Sequence, residues 1–269
     1  YKQAKDYLNI TLTGTIFIFG YNAFSAILRG LGDSKRPLIF VSIACVINVF
    51  LDLLLVGVFN MESAGAALAT VISQAISMIC CIVYLKRSNF DFDFKISSFR
   101  FYRQRFFMIM KLGIPMTISN VIVNFSFLVL TAISNSMGVS VSAALGVVGK
   151  YNGFAILPAI AVGSSVSAMV AQNMGAGMAD RAKKTLHAGI LLASSVTLVV
   201  YVITNLFPEQ ILGLFGDDPE MIAHGVGYIR TFSLDYLIVP VTFCLNGLIT
   251  GSGHTVVSSI SGIMSSIAF

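Results

Sequence analysis

The residues best suited to bind a ligand are three polar side chains that lie at similar depths in two neighbouring apolar runs. Asp52 lies in the run Leu38–Phe59, and Asn48 precedes it by one helical turn, so both would share one helix face. Thr70 lies in the next run and reaches about the same level, roughly 8–10 Å inside a hydrocarbon core of about 30 Å. A carboxylate, an amide oxygen and a hydroxyl at one level are hard oxygen ligands. They predict a binding site for a cation such as Na⁺, or for a proton.

A hydrogen-bonded clamp between helices is the alternative for these residues. Asn and Thr commonly join membrane helices, and Asn48 and Thr70 alone would favour that reading. Charged residues inside membrane spans are rare and costly, so each is a candidate functional residue. Asp52 therefore shifts our interpretation from the clamp to an ion or proton site.

A second polar set is expected to line a substrate cavity. Asp235 and Lys150 lie roughly 9–14 residues from the outer ends of their runs, so they could meet near mid-membrane. They would form either an ion pair that holds helices together or a cavity-facing pair that senses substrate or protons. Asn120 and Asn124 are one turn apart on another run, where they would line a polar cavity or bind a neighbouring helix.

The composition indicates a protein whose solvent is lipid. The 269 residues are 56% hydrophobic and 11% charged, with a mean hydropathy of +0.86, whereas soluble domains contain about 25% charged residues. A water-soluble fold of this size could not hide so much apolar surface. We therefore expect an all-α, polytopic membrane helix bundle. The net charge of +5 does not indicate nucleic acid, because the basic residues flank the apolar runs.

Seven apolar runs are long enough to cross a bilayer, and an eighth is incomplete. In chain order they are Leu8–Leu28, Leu38–Phe59, Ala64–Leu85, Leu112–Ser134, Val139–Val170, Thr185–Phe207, Met221–Thr250 and a run that starts at Val256. Pro158 predicts that the fifth run is kinked, tilted or extended beyond the membrane, and Pro240 predicts a kink in the seventh. Because the chain starts at Tyr1 and stops within the eighth run, we expect a fragment.

The charges of the loops predict how the spans are oriented and how the chain divides. Basic residues concentrate in alternate loops, and these are expected inside the cell because cytoplasmic loops carry the excess of Lys and Arg. The longest basic loop separates three predicted regions. They are 1–85, the end of an N-terminal lobe; 86–111, a basic cytoplasmic linker; and 112–269, a C-terminal lobe.

A weak internal repeat supports this division. Gly30-Leu31-Gly32-Asp33-Ser34 follows the first run, and Gly251-Ser252-Gly253-His254-Thr255 follows the seventh. The spacing of roughly 220 residues, with both segments in the same orientation, is typical of parallel repeats. A repeat unit of six spans predicts about 12 spans in the intact protein, with this chain starting near the fourth.

Catalytic motifs do not accompany the polar residues. The sequence has no GxSxG, P-loop or HExxH pattern. Its four cysteines lie inside apolar runs without CxxC spacing, which predicts free thiols. We therefore expect neither an enzyme nor a cofactor, while Asp52 argues against an inert scaffold.

Five segments match one family pattern in order along the chain. They are Leu28-Arg29-Gly30-Leu31-Gly32-Asp33-Ser34-Lys35-Arg36-Pro37, Asn48-Val49-Phe50-Leu51-Asp52, Ala64-Gly65-Ala66-Ala67-Leu68-Ala69-Thr70-Val71-Ile72-Ser73-Gln74, Gly113-Ile114-Pro115 and Val170-Ala171-Gln172-Asn173-Met174-Gly175-Ala176-Gly177. With these segments the chain resembles the multidrug and toxic compound extrusion (MATE) family of the MOP flippase superfamily. It is similar to the DinF-like branch, from about the fourth to the eleventh helix.

The resemblance implies a two-lobed, V-shaped bundle of 12 helices in the bacterial cytoplasmic membrane, monomeric when full length and without nucleic-acid partners. Such proteins export small organic, often cationic compounds in exchange for Na⁺ or H⁺. In the DinF-like branch, an acidic residue and an Asn on the fifth helix, a Thr on the sixth and an Asp on the first form the ion site. Asp52, Asn48 and Thr70 match three of these. The NorM-like branch has acidic residues on the seventh helix, where this chain has Asn120 and Asn124, and an Asp on the tenth, as Asp235 is here.

A lipid-linked oligosaccharide or polysaccharide flippase of the same superfamily is the alternative function. Such a protein would be expected to line its cavity with several Arg or Lys for the pyrophosphate. Here Lys150 stands nearly alone, so we rank this function second.

Overall fold

The computed structural model describes residues 2–88, 100–216 and 218–267, and in these ranges the chain folds into helices and turns without strands. The α-helices of these ranges are α1 Lys2–Gly30, α2 Lys35–Asp52, α3 Glu62–Arg87, α4 Arg103–Ser136, α5 Val139–Gly175, α6 Ala179–Leu206, α7 Pro208–Gly213, α8 Pro219–Ser233, α9 Asp235–Gly251 and α10 Thr255–Ile267. A six-residue π-helix, Leu53–Val58, continues α2.

Most of these helices are membrane spans. Six are long and apolar enough to cross a bilayer, and α8 with α9 makes a seventh if the bent pair is one span. Large apolar side chains point away from the protein, as Leu12, Ile16 and Phe19 do at 69%, 70% and 72% exposure. Lipid is the solvent in which such a surface is stable. The predicted all-α, polytopic membrane bundle is confirmed.

The two prolines predicted to disturb spans behave differently. α5 continues through Pro158, and its 37 residues measure about 55 Å, so it extends well beyond the hydrocarbon core. The seventh run is not one helix, because α8 and α9 meet at an angle of 44°. This bend confirms the kink predicted for the seventh run, and the break lies at Leu234, on the N-terminal side of Pro240. A proline ring obstructs the carbonyl four residues earlier, which places the disturbance on its N-terminal side.

The chain forms two compact units, Tyr1–Phe101 and Tyr102–Phe269. Of the predicted linker 86–111, residues 89–99 lie outside the described residues. The part from Arg103 onward is the beginning of α4, so that part is a helix continuous with the fourth predicted span.

In the first unit, α3 packs against both α1 and α2. Glycines allow α1 to come close, since a Cβ on Gly14 would overlap Val71 and one on Gly20 would overlap Met78. A small apolar core closes one end of the unit, formed by Tyr21, Leu28, Cys81 and Leu85. This arrangement leaves one side of α3 to face α2, and the polar residues lie there.

In the second unit, α5 is central and packs against α6, α8 and α9, while α4 packs against α10. The contact of α5 with α9 is a close crossing of small residues, where a Cβ on Gly247 would overlap the carbonyl oxygen of Gly163. Ser167 and Thr250 join the same crossing through their hydroxyl groups at 3.0 Å.

Candidate functional site

Asp52 is the last residue of α2, at the point where the π-helix begins. π-helical turns inside α-helices are uncommon and frequently occur at functional sites. The Oδ1 atom of Asp52 is buried and has no hydrogen-bond partner. One turn earlier, the Nδ2 atom of Asn48 is also buried and unpaired. The two polar groups therefore share a face of α2 and neither is satisfied by the residues described.

Thr70 lies on α3 and is half-buried. Its hydroxyl donates to the carbonyl of Ala66 in its own helix at 3.0 Å. Because the proton is used in this bond, the lone pairs of the hydroxyl oxygen remain available to an incoming donor or cation.

Two contacts set the register of α2 against α3. The Ser77 hydroxyl donates to the carbonyl of Phe40 at 3.0 Å, and a Cβ on Gly65 would lie 3.2 Å from the backbone of Leu55. Interpolation between these contacts in the antiparallel pair puts Thr70 opposite about residues 47–50 of α2. Thr70 also precedes Ser77 by two helical turns and so faces the same side. The structure thus places Thr70 at about the level of Asn48, with Asp52 one turn further along α2.

A clamp between helices would require hydrogen bonds between these side chains. Instead, Thr70 bonds to its own helix, and Asn48 Nδ2 and Asp52 Oδ1 have no partner among the described residues. Each buried unpaired group costs about 1–3 kcal/mol. The observed geometry is therefore not that of a clamp. It favours a site in which these side chains bind a ligand that neither helix supplies, such as an ion or a proton.

Gln74 is a residue of this region that sequence reasoning missed. It lies one turn after Thr70 on α3, and its Oε1 atom is buried without a hydrogen-bond partner. The four-residue spacing from Thr70 could have identified it, because residues at i and i+4 share a helix face.

Asp235 and Lys150 do not form the ion pair that was one of their two predicted arrangements. Among the described residues, the ion pair present is that of Arg36 with Asp33 at 3.5 Å. Asn152 of α5 bonds to Tyr236 of α9, and Lys150, two residues before Asn152, points away from that contact and is exposed. Asp235 instead occupies the first turn of α9 and is half-buried.

Asn120 and Asn124 lie on the exposed side of α4. Asn124 donates to the backbone carbonyl of Asn120 at 2.7 Å, so it does not bind a neighbouring helix through that amide. Together the two residues line a shallow groove whose walls come from α4 alone, with Thr117, Val121, Phe125 and Leu128. The groove is mostly apolar and open, so the polar cavity predicted for these residues stays a prediction.

Several buried polar contacts in the second unit carried no recognisable sequence signal. The Tyr236 hydroxyl, in a side chain only 1% exposed, donates to Asn152 Oδ1. Tyr151 and Thr204 join their hydroxyls at 2.6 Å. Such bonds are typical of polar residues that hold membrane helices together.

The described residues contain no group of three or more His, Cys, Asp or Glu that could hold a metal ion. A multivalent metal site of that type is therefore not present in these ranges. The set formed by Asp52, Asn48 and Thr70 has one carboxylate and neutral oxygens, which suits a monovalent hard cation or a proton.

Comparison with known proteins gives the family. The MatE family model matches residues 1–54 and 115–268. "Probable multidrug resistance protein YpnP" of Bacillus subtilis is 33% identical over 250 residues, which are 93% of this chain and 56% of that protein. "Probable multidrug resistance protein YoeA" of the same organism is 30% identical over 281 residues, covering 99% of this chain and 60% of that protein.

A solved structure shows the same fold. A MOP superfamily transporter from Pyrococcus furiosus superimposes with a TM-score of 0.91 at 19% identity, covering 97% of this chain and 59% of that one. This chain thus spans a little under two thirds of the length of the proteins it matches. With its spans, its family match and these relatives, the chain belongs to the MatE family of transporters, not to an enzyme family, and is a multi-pass protein of the plasma membrane.

Proposed function

We propose that the intact protein is a secondary active antiporter that exports organic, cationic compounds in exchange for Na⁺ or H⁺. The observation that carries the proposal is the buried, unpaired Oδ1 of Asp52, with unpaired Asn48 one turn earlier. Relatives named as multidrug resistance proteins support efflux of organic compounds. No cofactor is part of the proposal.

The ion site drives transport through a difference in affinity. The ion binds Asp52, Asn48 and Thr70 in one conformation of the transporter, and the organic compound prefers another. Exchange follows because each ligand shifts the equilibrium toward the state that it binds better. The exposed groove of α4 with Asn120 and Asn124, and the half-buried Asp235, are proposed to line the path of the compound, where a carboxylate favours cations.

A flippase for lipid-linked saccharides is the second candidate. Arg230 of α8 is exposed and joins Lys150 as a basic side chain within the spans of the second unit. Basic residues in a cavity suit a pyrophosphate. The antiporter ranks first, because a flippase gives no role to the unpaired carboxylate of Asp52.

The experiment compares Asp52→Asn with wild type in the full-length protein, using energised vesicles and ethidium as the exported cation. We expect the variant to fold and to lose ethidium efflux, whether a Na⁺ or a proton gradient is applied. Asp180→Asn, which removes an exposed carboxylate of α6, is the matched control and should export normally. Efflux at the wild-type rate in Asp52→Asn would show that the proposal is wrong.

A further inference from the structure

Basic side chains from three helices collect at one end of the first unit. They are Arg29 at the end of α1, Lys35 and Arg36 at the start of α2, and Lys86 and Arg87 at the end of α3. All five are exposed, and together they are called the basic end. The alternating loop charges predict that this end lies inside the cell. Because like charges repel one another, anions are expected to gather there.

The fold holds these helix ends together through Tyr84 of α3. Its hydroxyl donates to the carboxylate of Asp33 at 2.9 Å, across 51 residues of chain. The guanidinium of Arg36 lies over the same tyrosine ring, 5.3 Å from its centroid. Leu28 and Leu85 belong to one buried core directly below. The basic side chains flank these contacts, so their grouping is a property of the tertiary structure.

Asp33 is the one acidic residue in the described parts of these three helix ends, and its carboxylate is already occupied. Besides the tyrosine hydroxyl, it accepts the backbone amide of Arg36 at 3.2 Å and pairs with the guanidinium of the same residue at 3.5 Å. In the part of the chain that the structure describes, Lys35, Lys86 and Arg87 have no acidic partner. Their charges are therefore available to an anion from outside the protein.

Apolar stripes lead away from two of these cations. On α2, Lys35 is followed at helical spacing by Ile39 and Val46, which are 52% and 71% exposed. On α3, Lys86 follows Val83, which is 42% exposed, by three residues. A partner that uses both features has an apolar part and an anionic part. A phospholipid fits, because its chains suit the stripes and its phosphate suits the basic side chains.

We propose that the basic end binds phospholipids whose headgroups carry a net negative charge. The acyl chains lie along the exposed faces of α2 and α3, and the headgroup contacts Lys35, Lys86 and Arg87. Clusters of about 4–8 basic residues directly beside a membrane span are typical of surfaces that bind anionic lipids. This inference does not depend on the proposed ion site.

The test removes the three cations that have no acidic partner. Full-length protein in a neutral detergent is titrated with phosphatidylglycerol or phosphatidylcholine, and bound lipid is counted by native mass spectrometry. We expect wild type to prefer phosphatidylglycerol. The triple variant Lys35→Gln, Lys86→Gln and Arg87→Gln should lose about fivefold in affinity for each charge removed, or about 100-fold in all. Its affinity for phosphatidylcholine should not change.

A matched control removes as many charges elsewhere on the side predicted to face the cytoplasm. The changes are Arg181→Gln, Lys183→Gln and Lys184→Gln, at exposed residues in the first turns of α6. This variant should keep most of the preference for phosphatidylglycerol. Equal losses in the two triple variants would overturn the proposal, because the charge of the whole surface and not the basic end would then attract the lipid.

Asp33→Asn provides a variant in which binding should increase. The change removes the negative charge beside the cations, and asparagine can still accept the amide of Arg36. We expect about fivefold tighter binding of phosphatidylglycerol, a result that a poorly folded variant would not give. Unchanged or weaker binding by a variant with the Tm of wild type would count against the proposal.

Two further results would overturn the proposal. Equal affinity of wild type for the two lipids would mean that the cations are neutralised within the protein, for example by Asp91 and Asp93, which lie outside the described residues. Displacement of the lipid by glycerol phosphate at a similar concentration would indicate a site for soluble anions, in which the apolar stripes have no part. We expect glycerol phosphate to leave the lipid bound.

Discussion

Gly32 and Gly253 adopt the same turn, with φ angles of +88° and +85°. The amide of Asp33 closes the first turn on the carbonyl five residues earlier at 2.9 Å, and the amide of His254 closes the second in the same way at 3.0 Å. This bond, with a left-handed glycine, is the Schellman end of a helix. The two segments of the repeat expected from the sequence therefore end their helices in the same way, as α5 also does at Gly177.

The shared turn predicts that the two glycines respond alike to substitution. Gly32→Ala and Gly253→Ala should each destabilise the protein by about 1 kcal/mol, because a side chain is strained at positive φ. The measurement is the apparent Tm of the purified protein, expected to fall by about 2–4 °C. Gly175→Ala is the control, since a Cβ there meets nothing within 4 Å and φ is not positive. An unchanged Tm in either variant would mean that the turn relaxes to another conformation.

The crossing of α5 and α9 predicts a strong effect at Gly247. A leucine there would meet the carbonyl of Gly163 and the amide of Ser167, which are backbone atoms that cannot move aside. We expect Gly247→Leu to cost about 1–3 kcal/mol or to prevent folding, as measured by the yield of monodisperse protein and by its Tm. Gly153→Leu on α5 is the control, because a Cβ at Gly153 meets nothing within 4 Å. Equal yields and Tm values would contradict the close crossing.

The bond between Tyr236 and Asn152 predicts a non-additive pair of substitutions. Tyr236→Phe leaves the buried amide of Asn152, 7% exposed, without its donor. This should cost about 1–3 kcal/mol. Adding Asn152→Leu should recover part of the loss, since no unpaired polar group then remains. Thermal unfolding of the single and double variants measures the coupling, and additive effects would contradict it. Tyr228→Phe, at an exposed tyrosine of α8, is the control.

The hydroxyl of Thr70 predicts a pair of contrasting variants. Thr70→Val has nearly the same shape but no oxygen, and we expect it to weaken Na⁺ binding by roughly tenfold, in the range of one hydrogen-bond-strength contact to a charged group. Thr70→Ser keeps the oxygen and should bind Na⁺ nearly as wild type does. The Kd values for Na⁺ of the two variants show whether the oxygen of Thr70 binds the ion. Similar Kd values for both would assign Thr70 to packing alone.

The sequence predicted much of the fold because membrane spans are a local property. Most ends of the observed helices lie within a few residues of the ends predicted from the apolar runs. The four-residue spacing of Asn48 and Asp52 was enough to place both residues on one helix face. Pro240 predicted the bend in the seventh run but not its exact place, which is Leu234. A proline indicates that a helix is disturbed, but the packing of neighbouring helices decides at which residue the helix bends.

The sequence by itself determined that the chain is a membrane helix bundle and that Asp52 lies within it, because hydropathy and helical periodicity need no knowledge of the neighbours. Only the tertiary structure decided which side chains meet. The register of α2 and α3 depends on contacts such as Ser77 with Phe40, between residues far apart in the chain. That register brings Thr70 toward Asn48, and the bond of Asn152 to Tyr236 turns Lys150 away from α9, so it does not pair with Asp235. Such contacts arise from the fit of helix surfaces, which no run of residues along one helix specifies.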